Sequence, residues 1–156
     1  MARVKATGTQ VFTVIDDQVV RFVCYKGIDL GQDSFQKIEI NCMDDDTTDY
    51  ERGRRTPGEG SIQIDYDDEN LSHARLLEIA ESGEKLDWYI GGSQSKVAPT
   101  YDAVTGIDLP EDRTWWSYRG YLNDATPVFE QDQLVNYSFP LVRTSKVIVT
   151  PRVVTP

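Results

Sequence analysis

Alternation of apolar and polar residues dominates the chain, and a period of two is that of a β-strand. Residues 11–15 and 19–25 are rich in β-branched and aromatic side chains, and Asp16-Asp17 between them reads as a hairpin turn. Ile38, Ile40 and Cys42 alternate with Lys37, Glu39 and Asn41, and Ile62, Ile64 and Tyr66 alternate with Gln63, Asp65 and Asp67. Leu86, Trp88 and Ile90 form a third set, Trp116, Tyr118 and Leu122 a fourth, and Val135, Tyr137, Phe139 and Leu141 a fifth. Pro140 has no N–H to give a ladder and marks an edge or a bulge in that strand. Residues 146–150 can add a short final strand.

One segment follows the helical period instead. Residues 70–82 read as a helix, with Asp68 or Asn70 able to cap its start and Gly83 to end it in the left-handed conformation. Leu71, Ala74, Leu77 and Ala80 lie close to one face, with Leu76 and Ile79 beside it. A single amphipathic helix must cover something apolar, here the open end or flank of a β-barrel or sandwich. The expected helix–sheet packing residues are Leu71, Ala74, Leu77, Trp88 and Trp116. Two long stretches, 43–60 and 91–113, carry no strand signal and read as loops. No repeat and no linker divides the chain, so residues 1–156 read as one mainly β domain, with 1–9 and 146–156 as extended terminal arms.

Composition is that of a folded soluble protein, with 39% hydrophobic and 27% charged residues. No apolar run approaches a membrane span, and residues 1–10 have no signal-peptide character, so assembly in a cytoplasm is expected. Cys24 and Cys42 sit in strand-like contexts and read as buried free thiols. The Asn136-Tyr137-Ser138 sequon has no meaning without secretion. The net charge of −10 is concentrated: residues 44–69 hold ten acids against three arginines. Such a chain repels nucleic-acid phosphates and does not grip DNA or RNA through a basic patch.

Candidate chemistry is sparse. His73, the single histidine, has no nucleophile signature near it and reads as a helical surface residue. One His and two separated Cys cannot close a zinc site. Asp44-Asp45-Asp46 lacks the alternating acids and central glycine of a calcium loop. Neither catalytic nor metal-binding residues are assigned, no cofactor is implied, and the chain does not read as an enzyme. The stretch Asp44, Asp45, Asp46, Asp49, Arg52, Arg54 and Arg55 carries both signs of charge on a long segment that serves no core. It reads as a docking element between copies, since guanidinium groups pair well with carboxylates. The run Trp115-Trp116-Ser117-Tyr118-Arg119-Gly120-Tyr121 is aromatic on both strand faces, so its outward face, Trp115 and Tyr121, must be covered internally, form an interface or bind sugar.

The order of these features resembles a known family. A strand at 38–41 runs into an acidic, Thr-containing turn at 42–48, followed by Gly53, Pro57, Gly58 and Gly60. Then come a strand at 61–67, the helix to Gly83, the aromatic strand 86–90, a strand ending in Arg119-Gly120-Tyr121-Leu122, and Asp132 before 135–142. Over residues 20–145 this resembles the tail tube (major tail) protein of lambda-like siphophages. The resemblance implies two packed antiparallel sheets flanked by a helix, and hexameric rings stacked into a hollow tube within the virion tail. It also implies a tape-measure protein, tail-tip and tail-terminator proteins as partners, with DNA in transit and no membrane. In that family the long loop between early strands reaches an adjacent subunit or ring, and here it maps to 43–60. The 91–113 segment is long for the family, and no immunoglobulin-like domain is expected after residue 156. Two other readings stay open: the inner tube of a contractile tail or type VI secretion system, and a carbohydrate-binding β-sandwich using Trp115, Trp116 and Tyr118.

Overall fold

The computed structural model describes residues 3–44 and 46–154. The first alternating segments form β1 (Gln10–Ile15) and β2 (Gln18–Phe22). Asp16 and Asp17 between them have φ of 51° and 60°. Two left-handed residues in succession make the primed turn whose twist matches its flanking strands. The remaining strands are β3 (Tyr25–Asp29), β4 (Ser34–Ile40), β5 (Asp49–Thr56), β6 (Glu59–Asp65), β7 (Leu86–Gly91), β8 (Thr100–Asp102), β9 (Gly106–Asp108), β10 (Trp115–Leu122), β11 (Asn136–Arg143) and β12 (Ile148–Thr150).

All pairings are antiparallel. The main sheet runs β2-β1-β7-β10-β11-β6-β3, with β12 also on β10. β10 is the junction: β7 pairs with residues 115–120 of it, while its other side takes β12 at 115–117 and β11 at 120–122. Phe22 of β2 and Ile62 and Ile64 of β6, from opposite ends of this order, share one core with Trp88, Tyr118, Phe139 and Leu141. The sheet therefore curls and packs on itself, and its two limbs are the packed layers of a mainly β fold with one helix. Trp88 is fully buried, stacked between Phe22 at 5.4 Å and Tyr118 at 6.3 Å, and its Nε1 donates to the Gly120 carbonyl at 3.3 Å. Trp116 is half-buried at the margin of the same core.

Helix α1 (Leu71–Ser82) starts at Asn70, whose side chain accepts from the Ser72 N–H, and ends at Gly83, whose φ is 66° and whose N–H donates to Ile79. Its buried stripe is His73, Leu76, Ile79 and Ala80. This corrects the expected face: Leu71 is 84% exposed, Ala74 is exposed and Leu77 is half-buried. The phase was hidden because the first inward position is a histidine. His73 is 2% exposed, not a surface residue. Its Nδ1 accepts from the Asp67 N–H at 3.1 Å, which leaves Nε2 protonated to donate to the Cys24 carbonyl at 3.2 Å. The ring thus ties the entry of α1 to the turn between β2 and β3. Leu76→Ala should cost about 2–5 kcal/mol, whereas Leu77→Ala should cost less, and chemical denaturation of the two variants checks that order.

A second, smaller cluster lies on the opposite face of the sheet. Phe12 packs on Trp115 at 5.7 Å, and the Arg113 guanidinium lies 4.9 Å from the Trp115 ring. Segment 91–113, expected as a loop, contains the β8–β9 hairpin and supplies Arg113 to this cluster. That answers the question raised by the two-faced aromatic run. Trp115 is 1% and Tyr118 3% exposed, so neither offers a face to a sugar, and Tyr121 is half-buried.

Three further expectations are corrected. Cys24 and Cys42 are exposed, not buried. Cys24 lies in a turn with φ 60°, and Cys42 lies in the loop just past β4, with no core beneath it. Pro140 lies inside β11, between β6 and β10, not at a sheet edge. Its carbonyl accepts the last bond of the β10 ladder, from the Asn123 N–H just past the end of β10, so its missing N–H falls at the end of that ladder. Residues 146–154 are extended but docked, through β12 on β10 and through Val153 N–H to the Glu111 carbonyl. Residues 155 and 156, and residues 1 and 2 of the N-terminal segment, lie outside the described residues.

Candidate functional site: an exposed hairpin arm

The stretch read as a docking loop is mostly a strand. β5 pairs with β4 from Ser34↔Thr56 to Ile40↔Asp49, so the loop proper is only residues 41–48. β5 escaped detection because Tyr50 is its single large apolar residue, so its sequence shows no alternation. Among the described residues, β4 and β5 pair with each other and with no other strand. Every residue of the two is exposed or half-exposed. A lone two-stranded hairpin in water is marginally stable, and its free edges invite further pairing.

Its two faces differ. Phe35 carries Arg52 at 4.1 Å and Arg55 at 4.8 Å from its ring, and Lys37 lies 3.6 Å from the Tyr50 ring. Ile38, 46% exposed, is on the other face opposite Glu51. Asp44 and Asp46 are exposed at the tip, and Asp45 lies outside the described residues. Asp49 begins β5, and its carboxylate accepts from the Tyr50 N–H. Arg54 is exposed beside the register shift. Arg55 is not free for a partner: its Nη1 bonds the Asp33 carboxylate at 2.8 Å. The three arginines therefore do different work, and only Arg52 and Arg54 are candidates for contacts beyond the chain.

Asp33 and Arg143 were missed in the sequence, since nothing in local pattern marks a charged residue as buried. The Arg143 side chain is 1% exposed and paired with Asp33. That guanidinium, with lesser help from the Gly58 N–H and Arg55, holds the Asp33 carboxyl below its ordinary range, against the opposing effect of desolvation. A carboxylate with a depressed folded value contributes stability above its unfolded value and loses it as pH falls through the folded one. The melting temperatures of wild type and Asp33→Asn should accordingly differ at neutral pH and converge in acid. A constant gap across the acid range would contradict this. Among the described residues, no group of His, Cys, Asp and Glu is placed to hold a metal ion, and no helix is long and apolar enough to cross a membrane.

Comparison with known proteins gives the class of this fold. A family model described as phage tail tube, TTP, lambda-like matches residues 2–153. Structural protein 3 of Pseudomonas phage PAJU2 is 30% identical over 159 aligned positions, covering 96% of this chain and 94% of the relative. The chain is thus a member of the lambda-like phage tail tube family, a structural protein of the virion tail and not an enzyme. Solved structures share the fold at low identity. A chain of the sheath–tube complex of the extracellular contractile injection system PVC has TM-score 0.66 at 12% identity, covering 96% of this chain and 92% of that one. A chain from the tail of an empty GTA particle has TM-score 0.61 at 9% identity, covering 94% and 98%. The SPP1 tail tube protein has TM-score 0.58 at 10% identity, covering 96% and 80%.

Proposed function

We propose that the protein self-associates into hexameric rings that stack into the hollow tail tube of a siphophage, the conduit for DNA ejection. The observation that carries this reading is the β4–β5 arm, a hairpin with two solvent-facing sides and unpaired edges on a subunit of tail-tube fold. Such an arm gains a covered face and paired edges when a neighbouring copy lies against it. Tape-measure, tail-tip and tail-terminator proteins are the expected partners of the finished tube. Sedimentation velocity and negative-stain microscopy across a concentration series, with and without tail-tip complex as nucleus, test the proposal. Rings or tubes are expected. A monomer under every condition, absent from purified virions, would overturn it.

Charge on the arm supplies the contact chemistry. Replacing Arg52 and Arg54 with glutamate should leave the circular dichroism spectrum unchanged, because neither lies in the core. It should stop polymerisation by setting like charges across the interface. Normal tubes from the folded variant would mean that charge on the arm does not direct docking. The net charge of −10 also suits a channel along which DNA slides without adhering. Assembled tubes are expected to bind duplex DNA with no salt-sensitive affinity, and a binding constant falling steeply with salt would contradict that part of the reading.

A second reading, the inner tube of a contractile tail, is supported only by a shared fold with a chain of a contractile injection system's sheath–tube complex. The match to a lambda-like family model favours the first. A sheath protein in purified particles would decide for the second.

A further inference from the structure

The arm leaves the body through a closely built joint. Residues 29–33, entering the arm, run antiparallel beside residues 57–60, leaving it. Gly31, Gly58 and Gly60 lie so near the facing backbone that a Cβ would collide, with Glu59, Gln32 and Asp29 respectively. Gly31 also has a φ of 74°. At these glycines backbone therefore rests on backbone.

Arg143 of β11 reaches into this joint. Its Nε donates to the Leu30 carbonyl at 2.7 Å, its Nη1 to Ser145 at 3.0 Å, and its Nη2 to Gly31 at 3.3 Å and to Asp33 Oδ1. The same Oδ1 accepts from the Gly58 N–H at 3.1 Å, and Oδ2 accepts from Arg55 Nη1 at 2.8 Å. One carboxylate thus joins four pieces: the body at Arg143, the entering segment at Asp33 itself, the leaving segment at Gly58, and the arm at Arg55. A buried ion pair is weak evidence for stability, because desolvation offsets its attraction. Its better-attested use is to select one arrangement among several.

We propose that Asp33 is a positioning residue that fixes the direction in which the β4–β5 arm leaves the subunit, so that the arm meets a second copy already oriented. This rests on the docking role proposed for the arm above. Without the carboxylate, a hairpin paired only with itself can swing about residues 31–33 and 57–58. Each docking event must then select the competent orientation from many.

The chain carries its own reporters. Cys24 on the body and Cys42 at the arm's tip are both exposed and free, so spin labels on the two read arm direction by pulsed dipolar spectroscopy in dilute, unassembled protein. Wild type should give one narrow distance peak. Asp33→Asn offers one acceptor oxygen in place of two and sets an amide N–H against a guanidinium. It should lose that single peak while keeping its circular dichroism spectrum. If the competent orientation is then populated about one-tenth of the time, the concentration needed for polymerisation rises about tenfold. An unchanged peak would overturn the proposal. A lost peak with undiminished polymerisation would leave Asp33 as the arm's joint but refute the arm's docking role, so the two failures are distinct. Should Asp33→Asn fail to fold, Arg55→Gln leaves the Arg143 pair intact and should broaden the peak on its own. No broadening there would likewise overturn the proposal.

Discussion

Trp88→Ala is expected to lower the free energy of unfolding by about 3–5 kcal/mol, a large share of the stability of any single domain. The indole has no exposed surface and is stacked on both sides by Phe22 and Tyr118, so its removal opens a cavity between the two limbs of the curled sheet. It also strips the Gly120 carbonyl of its indole donor. Trp88→Phe keeps a ring between its neighbours but loses that hydrogen bond and part of the volume, and should cost about 1–2 kcal/mol. Guanidinium denaturation followed by circular dichroism measures both. If Trp88→Ala costs less than Trp88→Phe, the core is not centred on this residue.

Arg113→Ala is expected to cost about 3 kcal/mol, through orphaned acceptors and a cavity beside Trp115. Arg113 is completely buried, yet no carboxylate among the described residues pairs with it. Its Nε donates to the Gly92 carbonyl at 2.9 Å, and its Nη1 to Gln10 Oε1 at 3.0 Å and the Val97 carbonyl at 3.1 Å. Desolvation pushes its pKa below the ordinary value, so the charge itself is held at a cost. Arg113→Met, which refills the space and removes the buried charge, should therefore be milder than alanine. Equal losses for the two variants would mean that the lost hydrogen bonds dominate and the packing against Trp115 counts for little.

The contrast between these two residues explains what could be read in the sequence. Trp88 was legible because Leu86, Trp88 and Ile90 alternate over a buried face, and the same logic recovered β1, β2, β6, β10 and β11. The helix was legible from its caps, Asn70 and Gly83, but its rotation was not, because His73 fills an inward position that apolar counting assigns to the surface. Arg113 and Arg143 were illegible for a related reason. Their burial is made tolerable by backbone carbonyls contributed from distant segments, and no local pattern records those. β5, Asp-Tyr-Glu-Arg-Gly-Arg-Arg-Thr, was read as loop because Tyr50 is its single large apolar side chain and one such residue displays no period. Cys42 was misread for the converse reason: it extends the alternation of Ile38 and Ile40, but nothing is buried beneath them. The charged stretch was thus recognised as distinctive, while its division into a tip, two arm faces and a joint at Asp33 required the fold.

The most direct test of the account is cryo-electron microscopy of the purified protein polymerised at high concentration or from a tail-tip nucleus. The expected result is a hollow tube of stacked sixfold rings in which every β4–β5 arm lies against a neighbouring copy and Arg52 and Arg54 face its carboxylates. A tube in which the arm remains free in solvent, or a protein that stays monomeric and is missing from the virion, would contradict it.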